Sequence, residues 1–212
     1  MRLSLPSRIV LAVVSVCTLL FLYVPLAVVA RLSLNPQKSV AWPGWTGFTT
    51  EWWHKAWEAD APREALLNSV KVAFVAMLLA LLLGSLAAFA MARFSFFGRN
   101  AVSFLLVLPI SLPGIVTGIA LQNTFTRTIS LGPVSFSIGL GFHSLVIAHA
   151  TFCVVIAYNN VVARLRRLPP SLIEASMDLG ADGWQTFRLV LLPQVASALL
   201  AGGMLAFALS FD

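Results

Sequence analysis

The segment RLRRLPPSLIEASMDLGADGWQTFRLVLLP, residues 164–193, has the clearest local grammar in the chain. Pro169 and Pro170 end a preceding helix, because proline lacks the backbone donor and its ring collides with the carbonyl four residues back. Ser171 followed by Glu174 has the form of a capping box, so a short helix is predicted to start there. Gly180 is placed to close it, since glycine adopts the left-handed backbone that ends many helices. Asp182 with Gln185 repeats the cap signal, and a second helix is predicted through Trp184, Phe187 and Val190 until Pro193 intervenes. The expected element is helix, glycine turn, helix.

The sequence around this element is apolar. The 212 residues are 59% hydrophobic and 10% charged, with a mean hydropathy of +0.90, whereas a soluble domain is about 25% charged. Crossing a hydrocarbon core of about 30 Å takes about 20 apolar residues. Spans are therefore expected at 9–30, 66–92, 101–122, 142–162 and 194–212. They leave an N-terminus at 1–8, a Trp-rich outer loop at 31–65, an inner loop at 93–100, an outer loop at 123–141 and the inner loop at 163–193. The fold class is all-α, a polytopic transmembrane helical bundle. The first run outlasts the roughly 7–15 residues of a cleavable signal core, which makes it an uncleaved span. The last reaches Asp212 with no polar flank, so a truncated chain is expected, with five spans of six.

A net charge of +6 raises the question of nucleic acid, but the basic residues sit beside apolar runs as topology signals. Arg2, Arg8, Arg93, Arg99, Arg164, Arg166, Arg167 and Arg188 fall on one side, the cytoplasm. The opposite loops balance Arg31, Lys38, Lys55 and Arg63 against Glu51, Glu58, Asp60 and Glu64, and carry Trp42, Trp45, Trp52, Trp53 and Trp57, suited to the headgroup layer. The N-terminus is expected inside, and no nucleic-acid partner is expected. Cys17 and Cys153 lie in apolar stretches as small hydrophobes and form no metal or disulfide framework.

The inner loop presents Leu172, Ile173, Met177, Leu179, Trp184 and Phe187, more apolar surface than two short helices can hide. It calls for a partner surface, or for an amphipathic hairpin lying on the membrane. A DNA-reading helix-turn-helix is also built around a glycine turn, but tethering between two spans argues against it. Glu174-Ala175-Ser176, Gly180 and Val190-Leu191-Leu192-Pro193 resemble the EAA loop of bacterial ABC importer permeases, with Ser176 replacing the usual second alanine. The resemblance implies that the loop forms coupling helices docking on a cytoplasmic ATPase, through Glu174, Ala175, Ser176, Asp178, Gly180, Ala181, Leu192 and Pro193. It also implies a permease pairing with a second related permease and an ATPase dimer, fed by a periplasmic or lipid-anchored binding protein, in the lipids of a bacterial inner membrane. ATP and Mg belong to the ATPase; this subunit carries no cofactor and is no enzyme, and the chain has no G-x-x-x-x-G-K-[ST] phosphate loop. Gly47 to Trp53, Asn68-Ser69 and Leu209 to Asp212 resemble the second permease of spermidine/putrescine-type systems, with aminoethylphosphonate, thiamine or ferric iron as alternative substrates.

Several residues are candidates for the substrate pathway. Asp212 either attracts a polyamine cation or begins an outer loop. Pro109 and Pro113 predict a kink in the third span, with irregular backbone that can line a cavity, while Gly114 and Gly118 form a GxxxG expected to pack against another helix. His149 falls mid-span, where interhelical hydrogen bonding competes with substrate contact, and Lys71 is expected to snorkel. A secondary transporter would need charged relays or repeated interrupted helices, which are not evident; a membrane scaffold recruiting a soluble protein is the remaining rival.

Overall fold

A computed structural model describes residues 4–37, 47–112, 114–131 and 134–211. The chain divides into two compact units, 1–66 and 67–212. In the first, helix α1 (Leu5–Ser33) is an apolar helix that buries none of its residues. Past its end, Thr49 N–H donates to the Leu34 carbonyl at 2.8 Å, and Trp52 Nε1 donates to the Asn35 carbonyl at 2.9 Å. Helix α2 (Glu51–Glu58) thus stands against the end of α1, its outer surface carrying a Lys55–Glu51 pair at 2.6 Å. Of the tryptophans expected in this loop, Trp42 and Trp45 lie outside the described residues, as do Arg2 and Lys38 among the topology signals.

Helix α3 runs from Asp60 to Arg93, so it starts six residues before the expected span. Apolarity alone placed that boundary. The polar first turn is helical because Asp60 complements the helix dipole and Pro62 sits where no intrahelical donor is needed. In the second unit α3, α6 (Phe142–Leu165) and α9 (Leu192–Phe211) form the core. Ala76, Ala80, Gly84 and Ala88 recur every fourth residue on one face of α3 and are all buried. A Cβ built on Gly84 would lie 2.8 Å from Ala157 Cβ and 2.9 Å from the Tyr158 backbone nitrogen. Helix α9 makes looser approaches of the same kind: Gly202 faces Asn160 at 3.4 Å and Ala157 at 3.5 Å, and Gly203 faces Leu81 at 3.1 Å. Small residues therefore set the interaxial distances, as expected where lipid offers no hydrophobic drive for helices to associate. Ser103 with Tyr158 at 3.2 Å, and the Cys153 thiol on the Ala206 carbonyl at 3.3 Å, add polar ties.

The third expected span is broken, not kinked. Helices α4 (Arg99–Ser111) and α5 (Gly114–Thr126) meet at 105°. Pro109 remains inside α4, and the break comes at Leu112, whose ψ of 147° is the extended conformation a following proline imposes. Pro113 itself lies outside the described residues. The packing expected of Gly114 and Gly118 is not met within this chain, since a Cβ on either would touch nothing within 4 Å. Among the described residues one short hairpin, β1 (Ile129–Leu131) against β2 (Val134–Phe136), adds strand to the otherwise helical fold between α5 and α6. Lys71 lies on the exposed surface of α3. Among the described residues four helices are long and apolar enough to cross a membrane, with a fifth span if the bent pair counts as one.

Gly84→Ala forces α3 and α6 apart against backbone atoms and is expected to destabilise the bundle by about 1–3 kcal/mol. Gly118→Ala, into open space, is expected to leave stability unchanged or raised by up to about 1 kcal/mol. Thermal unfolding of detergent-purified variants followed by size-exclusion chromatography measures both; equal midpoints for wild type and Gly84→Ala would refute the close-approach argument.

Candidate functional site

The 164–193 loop folds as a hydrogen-bonded unit. Helix α7 (Ser171–Asp178) is followed by Gly180 in the left-handed region at φ 85°. Gly180 N–H donates to the Met177 carbonyl at 2.9 Å, and Ala181 N–H donates to the Ser176 carbonyl at 3.0 Å. These two bonds satisfy carbonyls that the end of a helix otherwise leaves open. Asp182 then caps helix α8 (Gly183–Gln185): its carboxylate accepts from Gln185 N–H at 2.8 Å, and Gln185 Oε1 accepts from Asp182 N–H at 3.0 Å. The second capping box and the glycine turn stand as expected.

The first box does not form. Pro170 occupies the cap position with helical angles (φ −55°, ψ −32°), and no side chain caps α7. The fixed φ of proline already suits a helix, so the turn begins at Pro169 and Pro170, whose carbonyls accept from Leu172 and Ile173 N–H. Ser171 is carried into the first turn, away from the capping geometry.

Pro193 does not stop the second helix either. A π-helical segment (Thr186–Leu191) follows α8 and passes directly into α9, giving one apolar helical run over Gly183–Phe211. Within it Leu192 N–H donates to the carbonyl of Phe187, five residues back. The wide turn takes up the slack where Pro193 can donate nothing, so the missing donor costs no break. Consequently the loop ends as the first turns of the last span, and the boundary expected at 193 is not a structural one.

The two arms are joined by a buried pair of hydroxyls. Ser176 Oγ and Thr186 Oγ1 lie 2.9 Å apart, and Ser176 Oγ also donates to the Ile173 carbonyl at 2.8 Å. Both residues are buried, Thr186 at 1% exposure. Ser176, at the position of the usual second alanine, is thus a polar link across the turn. Phe187 closes the same side, edge-on to Phe89 of α3 at 5.3 Å and stacked on Trp184 at 5.6 Å. The opposite surface is open: Leu179 is 89% exposed, Leu189 69% and Trp184 66%. Of the other motif residues Ala175, Asp178, Leu192 and Pro193 are exposed, Glu174 is exposed at the edge of a cleft beside Phe89, and Ala181 is half-buried. Leu172 and Ile173, expected on the free face, instead line an apolar cleft of about 450 Å³ with Phe89, Leu165 and Leu168.

A second cavity, about 430 Å³, lies beside the broken span. His149 Nδ1 pairs with Ser210 Oγ at 3.0 Å across α6 and α9, and both line this cavity with Gly114, Gly118 and Phe152. His149 therefore makes the interhelical hydrogen bond and also borders open space. Asp212 and Pro113, the other pathway candidates, lie outside the described residues. Sequence reasoning missed Thr186 and Ser210, since a lone hydroxyl at either position carries no signal until its partner is known.

Comparison with known proteins bears on these features. A family model described as "Binding-protein-dependent transport system inner membrane component" matches residues 80–212. The putrescine transport system permease protein PotI of Escherichia coli K12 is 33% identical over 193 residues, covering 91% of this chain and 67% of that protein. The spermidine/putrescine transport system permease protein PotC of Haemophilus influenzae is 32% identical over 192 residues, covering 91% and 71%.

The hydroxyl pair makes an asymmetric prediction. Ser176→Ala strands the buried Thr186 hydroxyl and is expected to cost about 1–3 kcal/mol. Thr186→Val leaves Ser176 bonded to the Ile173 carbonyl and is expected to cost less. Denaturation of the two single variants and the double variant tests this, and the reverse order of stabilities would remove the clamp.

Proposed function

We infer function from one premise: the chain belongs to the family of binding-protein-dependent transport system inner membrane components. It is a permease subunit, part of the route by which substrate crosses the membrane. The substrate we assign is a polyamine of the spermidine/putrescine class, the cargo named for both relatives. The N-terminus and the 164–193 loop face the cytoplasm, where the loop docks on one subunit of an ABC ATPase dimer that binds ATP and Mg. A second related permease completes the pathway, and a periplasmic or lipid-anchored binding protein delivers substrate.

The observation that carries the coupling role is the uninterrupted helical run from Gly183 into the last span, locked to α7 by the Ser176–Thr186 pair. A surface that presents Leu179, Trp184 and Leu189 to a partner moves as one body with a membrane helix. Closure of the ATPase then tilts α9 against α6, where His149 and Ser210 border the cavity. Within this reading Glu174, Ala175, Asp178, Gly180 and Ala181 shape the docking surface, and Leu192 and Pro193 carry it into the span. Asp212, His149 and Pro113 remain the proposed contacts on the substrate pathway.

Two measurements test the proposal. Uptake of labelled spermidine and putrescine is expected to fall on deletion of the gene and to return with the full-length copy; uptake indifferent to both refutes the polyamine assignment. Gly180→Val places a β-branched residue at φ 85°, at a cost of roughly 1–2 kcal/mol. It is expected to leave membrane insertion intact while ATP hydrolysis no longer drives uptake. Normal uptake per ATP in that variant would show that the turn does not transmit the motion.

A further inference from the structure

A polar groove of about 410 Å³ opens between the loop end of α6 and the first turns of α9, lined by Asn159, Asn160, Arg164, Arg167 and Ser197. Asn159, in the last turns of α6, and Arg167, two residues past its end, both line this groove. Two of the polar residues are already engaged. Arg164 Nε donates to the Gln194 carbonyl at 2.8 Å, and Asn160 Nδ2 donates to the Ile156 carbonyl at 2.9 Å. Asn159 and Arg167 are exposed and make no side-chain hydrogen bond to another described residue. No carboxylate lines the groove, and among the described residues none forms an ion pair with Arg164, Arg166 or Arg167.

Three guanidinium groups within four residues, uncompensated beside a membrane, attract an anion. The neighbouring surface narrows its identity. Leu200 and Met204, 71% and 74% exposed, follow Ser197 at three and seven residues and so continue its face of α9. A polar groove with free donors thus passes into an apolar strip along a spanning helix. A positive-inside topology signal needs only the charge; it accounts for neither the groove nor the strip.

We propose that this groove binds the phosphate of an anionic phospholipid, with Arg167 and Asn159 on the phosphate oxygens and an acyl chain along Leu200 and Met204. The proposal rests on the reading that places this end of α6 at the cytoplasmic face. Free phosphate shares the headgroup chemistry but has no use for the apolar strip.

The test uses the full chain with the subunits that co-purify, in nanodiscs of phosphatidylcholine containing phosphatidylglycerol. Lipid retained after detergent exchange is quantified by mass spectrometry. Wild type is expected to retain phosphatidylglycerol about fivefold over Arg167→Gln, the worth of one basic residue at an anionic surface. Arg167→Lys restores most of it, which a folding defect would not allow. Millimolar inorganic phosphate is expected to leave retention unchanged; displacement would mean a free-anion site and overturn the lipid assignment. Equal retention by wild type and Arg167→Gln overturns the proposal, as does equal loss of phosphatidylcholine, which marks a nonspecific acyl groove or a surface covered by a second permease. Substrate uptake by the same subunits in sealed proteoliposomes of the same lipids separates the two readings. Normal ATP-driven uptake with no lipid difference removes only the lipid site, and Arg167-dependent retention without ATPase-linked uptake removes only the transport reading.

Discussion

Helices in hydrocarbon gain nothing from hiding apolar surface, so their association depends on how closely the backbones can approach and on which polar groups meet. In this chain that constraint falls on one crossing. Gly84 admits the backbone of α6 at Val154 and Tyr158 with no room for a methyl group, and Gly202 and Gly203 bring α9 against α6 and α3. Everything functional in the second unit hangs from this three-helix contact. It sets where His149 meets Ser210, and it fixes the end of α3 whose Phe89 supports Phe187 beneath the inner loop.

The same contact decides what the loop can move. A loop tethered by flexible segments would absorb a push from its partner. Here α7 is tied to the π segment by buried hydroxyls, and the π segment runs into α9 with a Leu192 to Phe187 backbone bond bridging the proline. A displacement at Leu179 or Trp184 is therefore delivered to a helix packed through glycines against two others. Glycine contacts favour sliding: they are close and smooth, with few interdigitated side chains to unlock.

What the sequence disclosed follows from the range of each interaction. Apolar length reveals spans because hydropathy is local, and the Gly180 turn and the Asp182 cap were legible because each is a two- or three-residue device with its own signature. The rules failed where a neighbour changed their meaning. Ser171 looked like a cap until Pro170 took that position, and Pro193 looked like a stop until a π turn absorbed its missing donor. The Ser176–Thr186 and His149–Ser210 pairs join residues 10 and 61 positions apart, and no periodicity announces such a meeting. The four-residue repeat of Ala76, Ala80, Gly84 and Ala88 was there to be read, but in a run this apolar only the structure shows which face is pressed against a neighbour.

One tension between cargo and pathway has a physical resolution. From residue 67 to residue 211 the only carboxylates are Glu174, Asp178 and Asp182, all in the inner loop. Under the polyamine reading, a cargo passing the cavity of His149 and Ser210 meets dipoles and apolar walls, not fixed negative charge. A deep anionic site would hold a multiply charged cation and slow its release, whereas neutral polar groups give contact without capture; passage requires binding weak enough to leave. Under the polyamine reading, tight recognition then belongs to the delivering protein. In that reading the spans supply a route whose weakness for the substrate is what lets it through.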